Sequence, residues 1–286
     1  MKAVLRFDYA TVGHVTVDVL SDGSRRAGGA AFYSALQASR LGLRALIVTR
    51  GVASEIEELL APYAHELALE LMPGEYTTTL LTTGAGATRN QRVLAWGGPI
   101  EEDLELDSSI VHIAPVARET PTRWRGGSQF VGLTPQGLLR QWPGAERRIT
   151  LTAPPPSSER VADVCNAIVV SEHERSGCST LISRGLAAGA VVAVTDGAAP
   201  SKVLLPDGKT LALDVPTVED PRDDLGAGDV FAAAFFVALA EGQSPDDAAR
   251  FATAAAAVRM QGEGAAAIGD RDAVHARLHA VSRLAG

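Results

Sequence analysis

Short apolar, β-branched runs alternate along this chain with longer segments rich in alanine and leucine. Residues 45–49, 110–114, 130–133, 149–152, 167–170 and 191–195 read as buried strands, each a nearly continuous apolar run of strand length. Segments near 28–41, 54–64, 158–163, 177–188, 226–241, 245–260 and 270–284 repeat apolar residues at three- and four-residue spacings and read as helices. Such alternation implies an α/β fold with a mainly parallel sheet covered on both faces. Sites in sheets of this kind lie at the carboxyl ends of the strands.

Two stretches depart from that rhythm. Residues 11–20 and 77–94 alternate apolar and polar positions, the second around a Gly84-Ala85-Gly86 turn. Period-two alternation describes a sheet with one wet face, so the two are expected to pair as a small lid over approximately 11–26 and 75–98. Pro206-Asp207-Gly208, between 203–205 and 210–213, signals a further hairpin. With no internal repeat or low-complexity linker, and Pro154-Pro155-Pro156 read as a stiff loop, 1–286 is expected to form one domain.

Composition narrows the function. At 286 residues and 46% hydrophobic, the chain is long enough to bury a full core. A net charge of −8 without a basic run argues against nucleic acid and anionic membranes as partners. No uncharged apolar segment approaches the roughly 20 residues that span a bilayer. Met1-Lys2-Ala3-Val4-Leu5-Arg6 breaks its apolar run too early for a signal peptide. Cys165 and Cys178 lack the number and spacing of a metal site or disulfide framework, which makes a reducing cytoplasm the expected location.

Candidate chemistry concentrates in Asp223-Asp224-Leu225-Gly226-Ala227-Gly228-Asp229-Val230-Phe231, where a polar loop meets a long apolar helix. Small residues leave the amides of Gly226, Ala227 and Gly228 uncovered at a helix start, which carries roughly half a positive charge. That is an anion site, and Asp229 beside it is placed to take a proton from a hydroxyl. The pattern points to phosphoryl transfer to an alcohol. The structural alternative is a close-packing turn with Asp229 complementing the helix dipole. The six histidines show no ligand spacing, and His112 reads as a packed strand residue.

These pieces, in this order, resemble the ribokinase/PfkB carbohydrate kinase family over almost the whole chain. Gly13-His14-Val15-Thr16-Val17-Asp18 is similar to the family's opening strand and its substrate-binding aspartate, and Gly28-Gly29 to its double glycine. Ser171-Glu172-His173-Glu174 stands where the family has Asn-x-x-Glu, Thr195-Asp196-Gly197 resembles its Thr-x-Gly turn, and Asp223 to Asp229 matches Asp-Thr-x-Gly-Ala-Gly-Asp with Asp224 for threonine. The resemblance implies a three-layer αβα fold with a β lid. It implies transfer of the γ-phosphoryl of ATP, with Mg2+, to a small sugar or cyclitol.

By the same resemblance Asp229 is the base, the 226–228 amides form the anion hole, and Asp18, Gly28 and Gly29 bind substrate. Gln136, in a segment that faintly resembles inositol-kinase-like branches of the family, joins them. Thr195, Gly197 and Thr253 would contact nucleotide. Glu174 would reach Mg2+ through water, or alternatively close a capping box with Ser171. Asp223 would hold a monovalent cation such as K+, or alternatively cap a helix. Ribokinases carry lysine and asparagine at the positions of Ala30 and Tyr33, and asparagine at Thr16, so a ribose-specific contact set is largely missing. A nucleoside kinase, with Phe32 and Tyr33 stacking on a base, and a catalytically impaired sugar- or nucleotide-binding regulator are the alternatives. An open lid edge favours a homodimer.

Overall fold

The computed structural model describes residues 7–84, 88–101, 103–215, 218 and 221–284, with side chains through 280. In chain order, β1 (Phe7–Val12), β2 (Thr16–Val19) and β3 (Arg25–Gly28) precede α1 (Ala30–Arg40), followed by β4 (Ala45–Gly51), α2 (Ala53–Leu60) and β5 (Leu67–Pro73). β6 (Thr79–Thr83), β7 (Asn90–Ala95), β8 (Ser108–Ile113) and β9 (Phe130–Leu133) lead to the short α3 (Gln136–Leu139). β10 (Arg140–Gln141), β11 (Thr150–Leu151), α4 (Pro156–Glu159), β12 (Ala167–Ser171), α5 (Glu172–Arg175) and α6 (Ser179–Ala187) come next. β13 (Val191–Asp196), β14 (Ala199–Leu204) and β15 (Thr210–Leu213) are followed by the long α7 (Ala227–Ala240), α8 (Pro245–Met260) and α9 (Arg271–Leu284).

The main sheet runs β15-β14-β13-β12-β9-β8-β1-β4-β5. Every pairing from β5 across to β13 is parallel, and β14 and β15 add an antiparallel edge. One face is covered by α1 and α7, whose Phe32, Leu36, Phe235 and Phe236 are fully buried in the cluster with Tyr9, Ile110 and Phe130 of β1, β8 and β9, and by α8, which lies over β14 and β15. The other packs Leu181 and Ile182 of α6 against Val111, Ile168, Val170 and Val192. This is the expected αβα sandwich, and cover on both faces explains why its strands read as apolar runs. No helix among the described residues is long and apolar enough to cross a membrane.

The lid is a second sheet, β3-β2-β6-β7, in which β2 pairs β6 in parallel and the outer pairs are antiparallel. The chain enters it from the carboxyl ends of β1 and β5, so it stands where a site in a parallel sheet belongs. Its first segment corrects the alternation reading of 11–20, because Thr11 and Val12 belong to β1 of the main sheet and only 16–19 lie in the lid. Thr11, His14 and Thr16 imitate wet positions yet are fully buried. Thr11 donates to the Ala31 carbonyl at 3.2 Å, His14 Nδ1 shares a 2.7 Å hydrogen bond with the Thr78 hydroxyl, and Thr16 donates to Asp18 at 2.8 Å.

Other departures are local. The expected buried strand at 149–152 is a two-residue rung pairing Thr150–Leu151 with Arg140–Gln141 in a surface ribbon. Leu67–Pro73, an unexpected strand, forms the sheet edge, where only one neighbour is needed. Gly84 turns at φ +72°, whereas Ala85 and Gly86 of the same expected turn, like Met1 to Arg6, lie outside the described residues.

Candidate active site

The loop 223–226 shapes the start of α7. The Ala227 amide donates to the Asp224 carbonyl at 3.2 Å, and Gly226, between them, has φ 83° and ψ 0°. Those angles belong to the third residue of a type II turn, which needs glycine. Space demands it too: a Cβ at Gly226 would lie 2.5 Å from the Tyr33 ring. This turn corrects part of the expected anion hole, because the Ala227 amide is already used. Among the described residues the amides of Gly226 and Gly228 meet no protein acceptor, and Gly228 is exposed with open space beside it. These two donors, one on each side of the engaged Ala227 amide, lie at the positive end of a 14-residue helix, a place that favours negative charge.

Asp229 sits in the first turn of α7, and the hydroxyl of Ser34 in α1 holds its backbone carbonyl at 3.1 Å. Its carboxylate keeps some surface but lies within a cluster of ionisable groups. Burial pushes its pKa up to about 7, with Glu174 and Asp18 adding repulsion while Arg140 and Arg89 oppose the rise. Among the described residues no donor reaches the carboxylate. A carboxylate poised near neutrality is tuned for general-base work.

Asp18 is the third of the four residues of its lid strand and is buried. Burial raises its pKa, against the Thr16 hydrogen bond and the charges of Arg26, Arg140 and Arg89. Gly28, opposite Thr16 on the neighbouring strand β3, lets the carboxylate close on the backbone: a Cβ there would fall 2.1 Å from Oδ2. Gly29 is the N-cap of α1 at φ 95°. Thus Asp18 and Glu174, far from Asp229 in sequence, are both brought within electrostatic reach of it. Gln136 is the first residue of α3, half-buried just past the carboxyl end of β9.

The remaining expected residues take mixed places. The carboxylate of Glu174 accepts the Ser171 amide at 3.0 Å, completing the capping box that Ser-x-x-Glu suggested. Thr195 is the last residue but one of β13, and Gly197, just past its end, turns at φ 57° beside open space. Thr253 is buried in α8 and donates its hydroxyl to the Ala249 carbonyl of the same helix at 2.8 Å. Asp223 caps no helix: Gly226 is the N-cap of α7, and Asp223 instead accepts the Leu225 amide at 2.9 Å. Phe32 and Tyr33 are buried among core residues, so neither presents a face to a nucleobase. His112 is fully buried between the Tyr9 hydroxyl at 2.9 Å and the Thr134 hydroxyl at 3.0 Å, a packed strand residue as expected.

Sequence reasoning passed over four arginines. Arg140 is buried and joins the Val116 carbonyl at 3.1 Å to Gln91 of the lid at 2.8 Å, with Asp229, Glu174 and Asp18 all close enough to bear on its charge. Arg89, at the lid hairpin, pairs with Asp224, which answers the negative charge that replaces threonine there. Arg26 of β3 pairs with Asp223 at 2.9 Å, and so does the fully buried Arg259 of α8. None has a local sequence signal, because every side-chain partner is distant in the chain. Buried Glu119 was missed likewise: it accepts the amides of His14, Val116 and Ala117 and ties the β1–β2 connection to the β8 loop. A cleft of about 470 Å³ beside Arg26, lined by Tyr63, Glu55 and Glu263, contains none of Asp18, Glu174 or Asp229.

No curated protein matches the chain in sequence. Residues 166–271, which hold Glu174, Thr195, Gly197 and the whole 223–229 loop, match the model of the pfkB family carbohydrate kinases. A pyrophosphate-dependent kinase in the ribokinase family, solved with a pyrophosphate analog and myo-inositol, superposes with a TM-score of 0.75 at 20% identity, over 94% of this chain and 99% of that one. Ribokinase of Arabidopsis thaliana, complexed with ribose and ATP, gives 0.71 at 18%, over 96% and 99%. The nucleoside kinase of Methanocaldococcus jannaschii gives 0.69 at 19%, over 96% and 98%. The chain therefore has the ribokinase-like fold along its length and the sequence pattern of the pfkB carbohydrate kinases across its carboxy-terminal site.

Proposed function

We propose that this protein is a phosphotransferase that moves the γ-phosphoryl of ATP to a hydroxyl of a small sugar or cyclitol. The observation that carries the reading is the junction at α7: two acceptor-free amides beside a carboxylate with no hydrogen-bond donor and a pKa near 7. Asp229 takes the hydroxyl proton as the oxygen attacks phosphorus, while the Gly226 and Gly228 amides stabilise charge on the transferred group. Asp18 accepts hydrogen bonds from substrate hydroxyls at the lid, with Gly28, Gly29 and Gln136 around it. Thr195, Gly197 and Thr253 border the nucleotide. Catalysis of this kind rests mostly on positioning and electrostatics.

Among the described residues no group of three or more His, Cys, Asp or Glu side chains forms a metal cluster. Mg2+ is commonly held by one or two carboxylates together with substrate phosphates, and Glu174 is close enough to Asp229 to bear on its charge. Glu174 would hold it through water and the donor phosphates, and the ion would neutralise those phosphates. The cytoplasm is the proposed location, and a pair of lids the proposed homodimer contact.

The test is a screen for product with Mg-ATP and, separately, pyrophosphate as donor against inositols, pentoses, hexoses and nucleosides. Turnover of a sugar or cyclitol with ATP is expected. Turnover of nucleosides alone would move the acceptor class, and no turnover with any pair would leave a binding protein on a kinase fold.

A further inference from the structure

Resting on the kinase reading, we propose that Arg259 is a positioning residue whose guanidinium fills the place of a monovalent cation behind the anion-binding turn, making activity independent of potassium. Three backbone carbonyls and one carboxylate converge on this single group. Its Nη1 donates to the Asp223 and Gly262 carbonyls, each at 3.2 Å, and its Nη2 to the Leu225 carbonyl at 2.7 Å and to Asp223 Oδ2 at 2.9 Å. The Tyr33 ring covers it, with its centroid 5.7 Å from the guanidinium carbon. The side chain has no exposed surface.

A cage of carbonyls and a carboxylate is the donor set of a hard cation. Here the cage holds the delocalised positive charge of a guanidinium, whose planar fork reaches several acceptors at once. The carboxylate is saturated as well, because Asp223 Oδ2 also accepts from Arg26 at 2.9 Å and the Gly264 amide at 3.0 Å, while Oδ1 accepts the Leu225 amide. Asp223 thus does not fit the K+ ligand role that the resemblance gave it; its charge is already matched twice.

The positioning follows from peptide geometry. In a planar trans peptide the C=O and N–H point in opposite directions. Holding the Leu225 carbonyl on Arg259 therefore turns the Gly226 amide away from it, as one of the two donors left free for an anion. The fixed positive charge behind the turn adds to that of the helix end.

The experiment uses the full chain at constant ionic strength and compares potassium, sodium and tetramethylammonium chlorides by thermal unfolding and by turnover of the best donor–acceptor pair. The wild-type Tm and kcat are expected to be the same in all three salts. Arg259→Ala is expected to lose at least about tenfold in kcat, with acceptor KM changed less than kcat, since anion-hole donors act on the transition state. Potassium, more than tetramethylammonium, should restore both kcat and Tm in that variant. Potassium activation or stabilisation of the wild type overturns the proposal, and so does an Arg259→Ala deficit that no small cation repairs. Should Arg259→Ala not fold, Arg259→Lys and the wild-type titration decide: a potassium response in either overturns the proposal, and its absence in both supports it. The unfolding measurements need no substrate, so they separate failure of this proposal from failure of the kinase reading.

Discussion

The 223–225 loop and the first turn of α7 meet at Gly226, yet they treat a carboxylate in opposite ways. Asp223 lies in the loop. Burial works against its charge, but the Leu225 and Gly264 amides with Arg259 and Arg26 overcome that and hold it well below the usual carboxylate range. Asp229 lies in the turn, where burial and two neighbouring carboxylates raise it to about 7 against the pull of Arg140 and Arg89, and among the described residues no hydrogen-bond donor reaches its carboxylate. The contrast separates scaffolding from chemistry: the saturated carboxylate fixes geometry, and the unsatisfied one remains free to take a proton. Lid arginines extend the division, since Arg26 and Arg89 bind Asp223 and Asp224 rather than Asp229.

The largest effect expected from breaking this contrast is on stability. Asp223→Ala strips the buried Arg259 of its counter-charge and should cost about 3 kcal/mol, read as a lower urea midpoint, because removing one partner of a buried pair strands the other. An unchanged midpoint would show that the carbonyls alone satisfy Arg259. Next, Asp229→Asn should lower kcat by at least about 10²-fold with much less effect on donor binding, measured by steady-state kinetics and titration calorimetry. A near-normal kcat would remove Asp229 from the role of base.

The pH dependences should run in opposite directions. Asp229 must be ionised to act, so log kcat/KM should rise to a plateau above about pH 7, falling about tenfold per unit below it. For stability, a raised native pKa helps only while the proton is bound: the Asp229 contribution is complete below the unfolded value of about 4 and is lost as pH rises through 7. The depressed Asp223 contribution is complete above about 4 and is lost on acidification. Denaturation of Asp229→Asn should therefore flatten the decline between those limits and leave the acid limb unchanged. The smallest effect is at the lid. Arg89→Gln breaks a part-exposed ion pair worth about 0.2–1 kcal/mol, so acceptor KM should rise only about twofold to fivefold while kcat holds.

What could be read from the chain follows the range of the interactions. The core strands at 45–49, 110–114 and 167–170 and the buried helix α7 declared themselves because their apolar character is continuous and local. The 223–229 turn was legible for the same reason, since Gly226 must be glycine for its own backbone. The register of 11–20 was not: His14 and Thr16 look polar, but partners at Thr78 and Asp18 make them interior. Arg259 stands among alanines in α8, and nothing around it in sequence announces that its acceptors lie at Asp223 and Leu225. The Ala227 amide looked available until the type II turn claimed it. Local chemistry was visible, and long-range charge matching was not.

The parallel β2–β6 pair has a consequence for how the molecule comes into being. Its strands flank the whole α1–β4–α2–β5 excursion, so their union closes a long loop before any hydrogen bond rewards it. The β2–β6 pair is therefore expected to order after the α1–β4–α2–β5 segment that its strands enclose.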